Sequence, residues 1–174
     1  RGESVEYFDF IKGERPGGND LFEGINTTWS RVKGGEPIGA LMAKIDREFR
    51  SDKPSASVPD LLKALQMIQA LPDGYWKNIK LAETREVIRG CIGLYLEATA
   101  SDPTATPGQT VSLRLEAINR SGLDVQLVSY NVLPALKDST TKTTLANNVD
   151  WTLNTSVKIP DSAPYTAPYW LQKE

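Results

Sequence analysis

The apolar residues of this chain change their period once, near Ser101. Upstream they recur every three or four positions, the spacing of one face of an α-helix. Downstream they alternate, the spacing of one face of a strand. Two such blocks in series predict an α+β chain: a helical segment of about three helices, then a small antiparallel, sandwich-like β-domain. The expected division is residues 1–100 mainly helical, 101–108 (SDPTATPG) a linker, and 109–174 the β-domain.

Residues 1–36 are mixed. Val5, Tyr7, Phe8, Phe10 and Ile11 make a short aromatic segment of strand or irregular form, and residues 13–19 (GERPGGN) are loop by composition. Those glycines lack the spacing and the Lys-Ser/Thr pair of a phosphate loop. The first helix is expected from Pro37, with Ile38, Leu41, Met42, Ile45 and Phe49 on one face. The second follows Ser57 as its cap, with Pro59 and Asp60 in the first turn and Leu61, Leu62, Leu65, Ile68 and Leu71 apolar. Turn chemistry at Pro72, Asp73 and Gly74 stops it. The third is read over residues 80–99, burying Leu81, Val87, Ile88, Cys91, Leu94, Tyr95 and Ala98. Gly90 and Gly93 flank Cys91, and a close helix–helix approach is expected there.

Past the linker, Val111, Leu113, Leu115 and Ala117 alternate with polar residues, and a second strand covers residues 125–133. Trp151, Leu153, Thr155, Val157 and Ile159 form the cleanest alternation, and Tyr169, Trp170 and Leu171 read as a last short strand. About four strands make a reduced version of an immunoglobulin-like sandwich, which has about seven. The β-domain is therefore reduced, incomplete, or finished by sequence outside the chain.

The chemical inventory is narrow. The chain has no histidine and a single cysteine, Cys91. A Ser-His-Asp or Cys-His nucleophile needs an imidazole base, and zinc sites draw on imidazoles or several thiolates. No zinc, no other cofactor and no catalytic turnover are expected, and removing metal with a chelator should leave the melting temperature unchanged. Cys91 lies in an apolar helical pattern and reads as core. Carboxylate chemistry remains open in principle through Asp20 with Glu23, Asp46 with Glu48, or Glu83 with Glu86. A solvated helix start explains the last of these better. Asp73 near Asn78 is a weak hard-cation signal without the ladder of a calcium loop.

A net charge of −2 offers no electrostatic reason to expect nucleic acid, and no apolar run approaches the roughly 20 residues that span a bilayer. Aromatic residues are the better candidates for binding. Trp29, Trp76, Trp151, Trp170 and the pair Tyr165 and Tyr169 could build a stacking platform for sugar rings. Trp151 lies on the alternating face and reads as core; Tyr165, Tyr169 and Trp170 sit in a Pro-bounded segment and are the candidate ligand contacts. Asn-x-Ser/Thr triplets occur at Asn26, Asn119 and Asn154, which carry glycans only in a eukaryotic secretory setting.

Five strings taken together carry a resemblance: residues 22–32 (FEGINTTWSRV), 71–77 (LPDGYWK), 93–98 (GLYLEA), 117–121 (AINRS) and 163–171 (APYTAPYWL). As a set they resemble the region downstream of the catalytic domain in large bacterial PIG-L (LmbE-like) deacetylases, over nearly the whole chain. That family's catalytic domain is a Rossmann-like α/β fold that removes an acetyl group from N-acetylglucosaminyl substrates. It binds zinc through a His-Pro-Asp-Asp motif and a later histidine. None of that motif is present, so no position here inherits a metal-ligand or base role. The resemblance implies a non-catalytic accessory region that braces the parent's catalytic domain, in a periplasmic or extracellular setting. The alternative is a carbohydrate-binding module that holds glycan through open aromatics. The chain starts at Arg1 without Met and reads as a piece excised from such a parent.

Overall fold

A computed structural model of the chain describes all residues except Arg1, Glu3, Ser4, Asn19, Leu21, 134–136 and 172–174. Three helices precede five antiparallel strands arranged in two small sheets, an α+β fold.

Helix α1 (Glu36–Glu48) starts where the sequence places it, with Pro37 in its first turn. Its entry is set by Gly35, where an added Cβ would come too close to the Trp29 carbonyl oxygen for any other residue to fit. Ile38 is buried with Ile68 and Leu71, and Trp29, Val32 and Met42 pack on that cluster. Helix α2 (Val58–Gln69) buries Leu61 and Ile68 as expected, together with Val58 and Ala64, while Leu62 faces outward, about half exposed. Ser57 does not act as its cap. The backbone there is already helical (φ −80°, ψ −14°) because a 3-10 turn, Pro54–Ser57, runs straight into the helix. The hydroxyl therefore makes no capping bond. Lys44 on α1 reaches Asp60 on α2 at 2.7 Å, and this hydrogen bond is the first cause holding the ammonium above its ordinary lysine range.

Helix α3 (Tyr75–Ile92) corrects the expectation of a helix over residues 80–99 at both ends. It begins directly after the Asp73-Gly74 turn and stops at Gly93, which adopts the left-handed conformation (φ 62°, ψ 35°). The Gly93 and Leu94 amides then bond back to the Gly90 and Arg89 carbonyls at 3.0 and 3.1 Å. This is a Schellman-type end, and a left-handed residue cannot continue an α-helix. The glycines are thus not a helix-packing notch. A Cβ on Gly90 would meet nothing within 4 Å, and Gly93 is approached by Arg120 of the β-region.

Tyr95, expected on the helix, instead opens β1 (Tyr95–Ala100). β1 pairs with β2 (Thr110–Ile118), so residues 101–108 lie inside a β-hairpin connection. β2 also pairs with β5 (Trp151–Lys158), giving the order β1-β2-β5. In that register Val111, Leu115 and Ala117 stand opposite Val157, Leu153 and Trp151, so the two alternating patterns share one face. The second sheet is β3 (Val125–Val132) with β4 (Lys137–Leu145). β4 had no apolar signal, because its sequence (KDSTTKTTL) is β-branched but polar. The expected final strand is absent: Tyr169–Leu171 is a 3-10 turn. The Tyr130 ring of β3 lies 6.2 Å from the Trp151 ring of β5, which brings the two sheets together.

Asn119 joins these parts. It is 1% exposed, and its amide donates to the carbonyls of Leu123 (2.9 Å) and Leu145 (3.1 Å). Its side-chain oxygen accepts from the Ser121 amide (3.0 Å) and hydroxyl (2.8 Å). Both donors and both acceptors of the side chain are used. Leu123, held by this network, packs against the Val58, Leu61 and Ile88 cluster, tying the sheets to the helices. No helix among the described residues is long and apolar enough to cross a membrane.

Candidate functional site

Two arrangements present aromatic side chains that could meet a ligand. The first is the segment singled out in the sequence. Tyr165, Tyr169 and Trp170 are 81%, 82% and 69% exposed. The Tyr169 and Trp170 rings meet edge to face, with centroids 5.1 Å apart and planes at 84°. Perpendicular planes do not make one flat platform, so each ring would have to be used separately. The hollows described below lie elsewhere on the molecule.

The second arrangement joins two segments far apart in sequence. Thr28 caps a 3-10 turn, Trp29–Arg31, by accepting from the Ser30 amide. Asn26 supports it, accepting from the Thr28 amide (2.9 Å) and hydroxyl (2.8 Å) and donating to the Ser30 hydroxyl (2.8 Å). Trp29 packs over α1, where a Cβ on Gly39 would lie 3.1 Å from the Trp29 Cβ. The first turns of α3 face this turn. The Arg31 guanidinium sits over the Trp76 ring, 4.2 Å from its centroid. Between the turn and the helix is a hollow of about 230 Å³ lined by Thr27, Thr28, Trp29, Arg31, Trp76 and Lys80. Trp29 and Trp76 were both legible as aromatic candidates, but nothing in the sequence announced that they meet. Arg31 was missed; the paired order Trp29-Ser30-Arg31 and Tyr75-Trp76-Lys77 was its only local signal.

A wider hollow of about 820 Å³ lies on the outer face of the three-stranded sheet, where Glu97, Thr99, Ser112, Arg114, Glu116 and Asn154 line it. Its charged groups largely answer one another. Arg114 pairs with Glu116 at 3.4 Å, and a hydrogen bond to the Glu97 carboxylate raises the proton affinity of the Tyr95 phenol.

In each carboxylate pair weighed in the sequence at least one member is engaged with another group. Glu23 accepts from the Gly17 and Gly18 amides at 2.6 and 2.8 Å, while Asp20 accepts from Phe22. Glu48 pairs with Lys44, Glu83 with Lys80 and Glu86 with Arg89. Asp73, weighed with Asn78 in the sequence, pairs with Lys77 at 3.0 Å. Cys91 packs on the Val58, Leu61 and Ile88 cluster, and partial burial pushes its thiol up, away from a reactive thiolate. Among the described residues no three His, Cys, Asp or Glu side chains converge as metal ligands.

Comparison with family models, curated proteins and solved structures finds no match to this chain in any of the three.

Proposed function

We propose that this chain is a non-catalytic accessory region of a PIG-L-like N-acetylglucosaminyl deacetylase, seated against that enzyme's catalytic domain and shaping access to it. The observation that carries the reading is the state of the chain's first stretch. Val5, Tyr7, Phe8, Ile11 and Phe22 stand between 67% (Phe22) and 94% (Ile11) exposed, in segments without regular structure. Large apolar groups concentrated in one stretch are the composition of a contact surface rather than of a free one. The choice of partner rests on the five strings that resemble the region downstream of such a catalytic domain, and the periplasmic or extracellular setting comes with it. The lack of imidazole, the packed thiol and the engaged carboxylates support a supporting role over turnover.

The test is to mix the purified chain with a separately produced catalytic domain of such a deacetylase and follow complex formation by sedimentation. Replacing Tyr7, Phe8 and Ile11 by Ser should weaken the complex at least about tenfold while leaving the melting temperature unchanged. Absence of any complex with the unaltered chain overturns the reading.

The exposure of Tyr165, Tyr169 and Trp170 favours a second reading, a carbohydrate-binding module. Trp170→Ala should then abolish binding to an N-acetylglucosamine oligomer and leave the fold intact. Binding that survives Trp170→Ala, or no binding before it, removes this second reading.

A further inference from the structure

We infer that the hollow between the Trp29–Arg31 turn and the first turns of α3 is a binding site for a small anionic sugar, independent of both readings above. Three observations define the ligand.

The first is charge. Arg31 stacks on Trp76 at 4.2 Å, and none of the ion pairs among the described residues includes it. Stacking on a ring face holds the guanidinium plane while its edge N–H donors stay available for a planar acceptor. Lys80 on the same wall is answered by Glu83 at 2.7 Å, so the unanswered charge of the hollow is that of Arg31. A carboxylate or phosphate group fits it. The outer sheet face differs, because its arginine already has a carboxylate.

The second is the character of the walls. Trp29 and Val32 form an apolar side that is fixed in place, since both pack on the Ile38, Ile68 and Leu71 cluster. Thr27 supplies a hydroxyl on another side, beside Thr28, whose own hydroxyl is engaged with Asn26 and Ser30. A sugar ring has this division, an apolar face and a hydroxyl rim, whereas an aromatic acid has no rim to meet the Thr27 hydroxyl.

The third is size. At about 230 Å³ the hollow is smaller than the roughly 300–1,000 Å³ of sites for drug-sized ligands. It accommodates one ring with its anionic substituent, not an oligosaccharide.

The experiment follows the indole N–H signals of the nitrogen-15-labelled chain by NMR during titration with glucuronate, glucose 6-phosphate, glucose and benzoate. The Trp29 and Trp76 signals should move saturably with the first two, the stronger of which identifies the anion as carboxylate or phosphate. Glucose and benzoate should each bind at least about tenfold more weakly. Arg31→Gln, at an exposed position, should lower affinity for the anionic sugar by about tenfold or more, and Arg31→Lys should fall between the two. Trp170→Ala should change nothing. The inference is overturned if neither anionic sugar gives a saturable shift, if glucose or benzoate binds as tightly, or if a folded Arg31→Gln chain keeps full affinity.

Discussion

Asn119 shows how much one side chain can organise when every polar atom it has is spoken for. In the sequence it reads as part of an Asn-x-Ser triplet, and a local turn with Ser121 is legible from that pattern. Its bond to the Leu145 carbonyl, 26 residues away, is not, because no local rule specifies which distant strand end a buried amide will meet. At 1% exposure the side chain also has no access to a glycan-transferring enzyme once folded. Asn119→Ala strands the Leu123 and Leu145 carbonyls and the Ser121 amide, and should cost about 3 kcal/mol or more in urea unfolding. Asn119→Asp keeps the acceptors and, when ionised, has no donor for the two carbonyls. Burial and those two carbonyls oppose ionisation more than the two Ser121 donors favour it, so the folded-state pKa of the new carboxyl is expected above its unfolded value. Its stability is therefore present below the unfolded pKa and lost as pH rises through the folded one, so this variant should be firmer at about pH 4 than at about pH 8. Equal stability at both would mean that the site is wetter than its burial implies.

Among the elements, β2 and β5 follow their apolar alternation, because a single buried face imposes the period. Helices α1 and α2 follow theirs in part: Ile38, Leu61 and Ile68 are buried, but Phe49, past the end of α1, and Leu62 stay about half exposed. α3 shows where that logic misleads. Leu94, Tyr95 and Ala98 continue a helical spacing by coincidence, and Gly93 overrides it by taking a backbone conformation that an α-helix cannot contain. β4 fails in the other direction, since a strand rich in threonine carries no apolar alternation to read. The candidate site was half legible for a similar reason: its indoles stand out by type, while the meeting of Trp29, Arg31 and Trp76 depends on how α1 and α3 pack. The two helix-end glycines should respond oppositely to alanine. Gly93→Ala forces a side chain into the left-handed region and onto Arg120, and should destabilise by about 1–2 kcal/mol. Gly90→Ala adds a methyl where nothing lies within 4 Å and should stabilise by about 0.5–1 kcal/mol. Denaturant midpoints of the two variants decide it; a shift in the same direction for both would contradict this account of the helix end.

On the scale of the whole molecule, the order of helices then strands was readable because the period changes once, but the place of the change was not. The chain enters its first sheet at Tyr95, before the Pro-rich residues 101–108, so that stretch joins two paired strands. A broad-specificity protease that cuts there should yield two bands on a denaturing gel but one species on a native column, because β1 stays hydrogen-bonded to β2. Separation into free helical and β fragments would overturn this. The strand order has a further consequence for a chain made from one end. β2 is flanked by β1 and β5, yet residues 119–150 lie between β2 and β5. On the ribosome β1 and β2 can meet as soon as both have emerged, and β3 with β4 soon after. Until residues 151–158 appear, the far edge of β2 stays open beside Val111 and Leu115, exposed to whatever extended strand a crowded cell supplies. The late arrival of β5 is what closes that window.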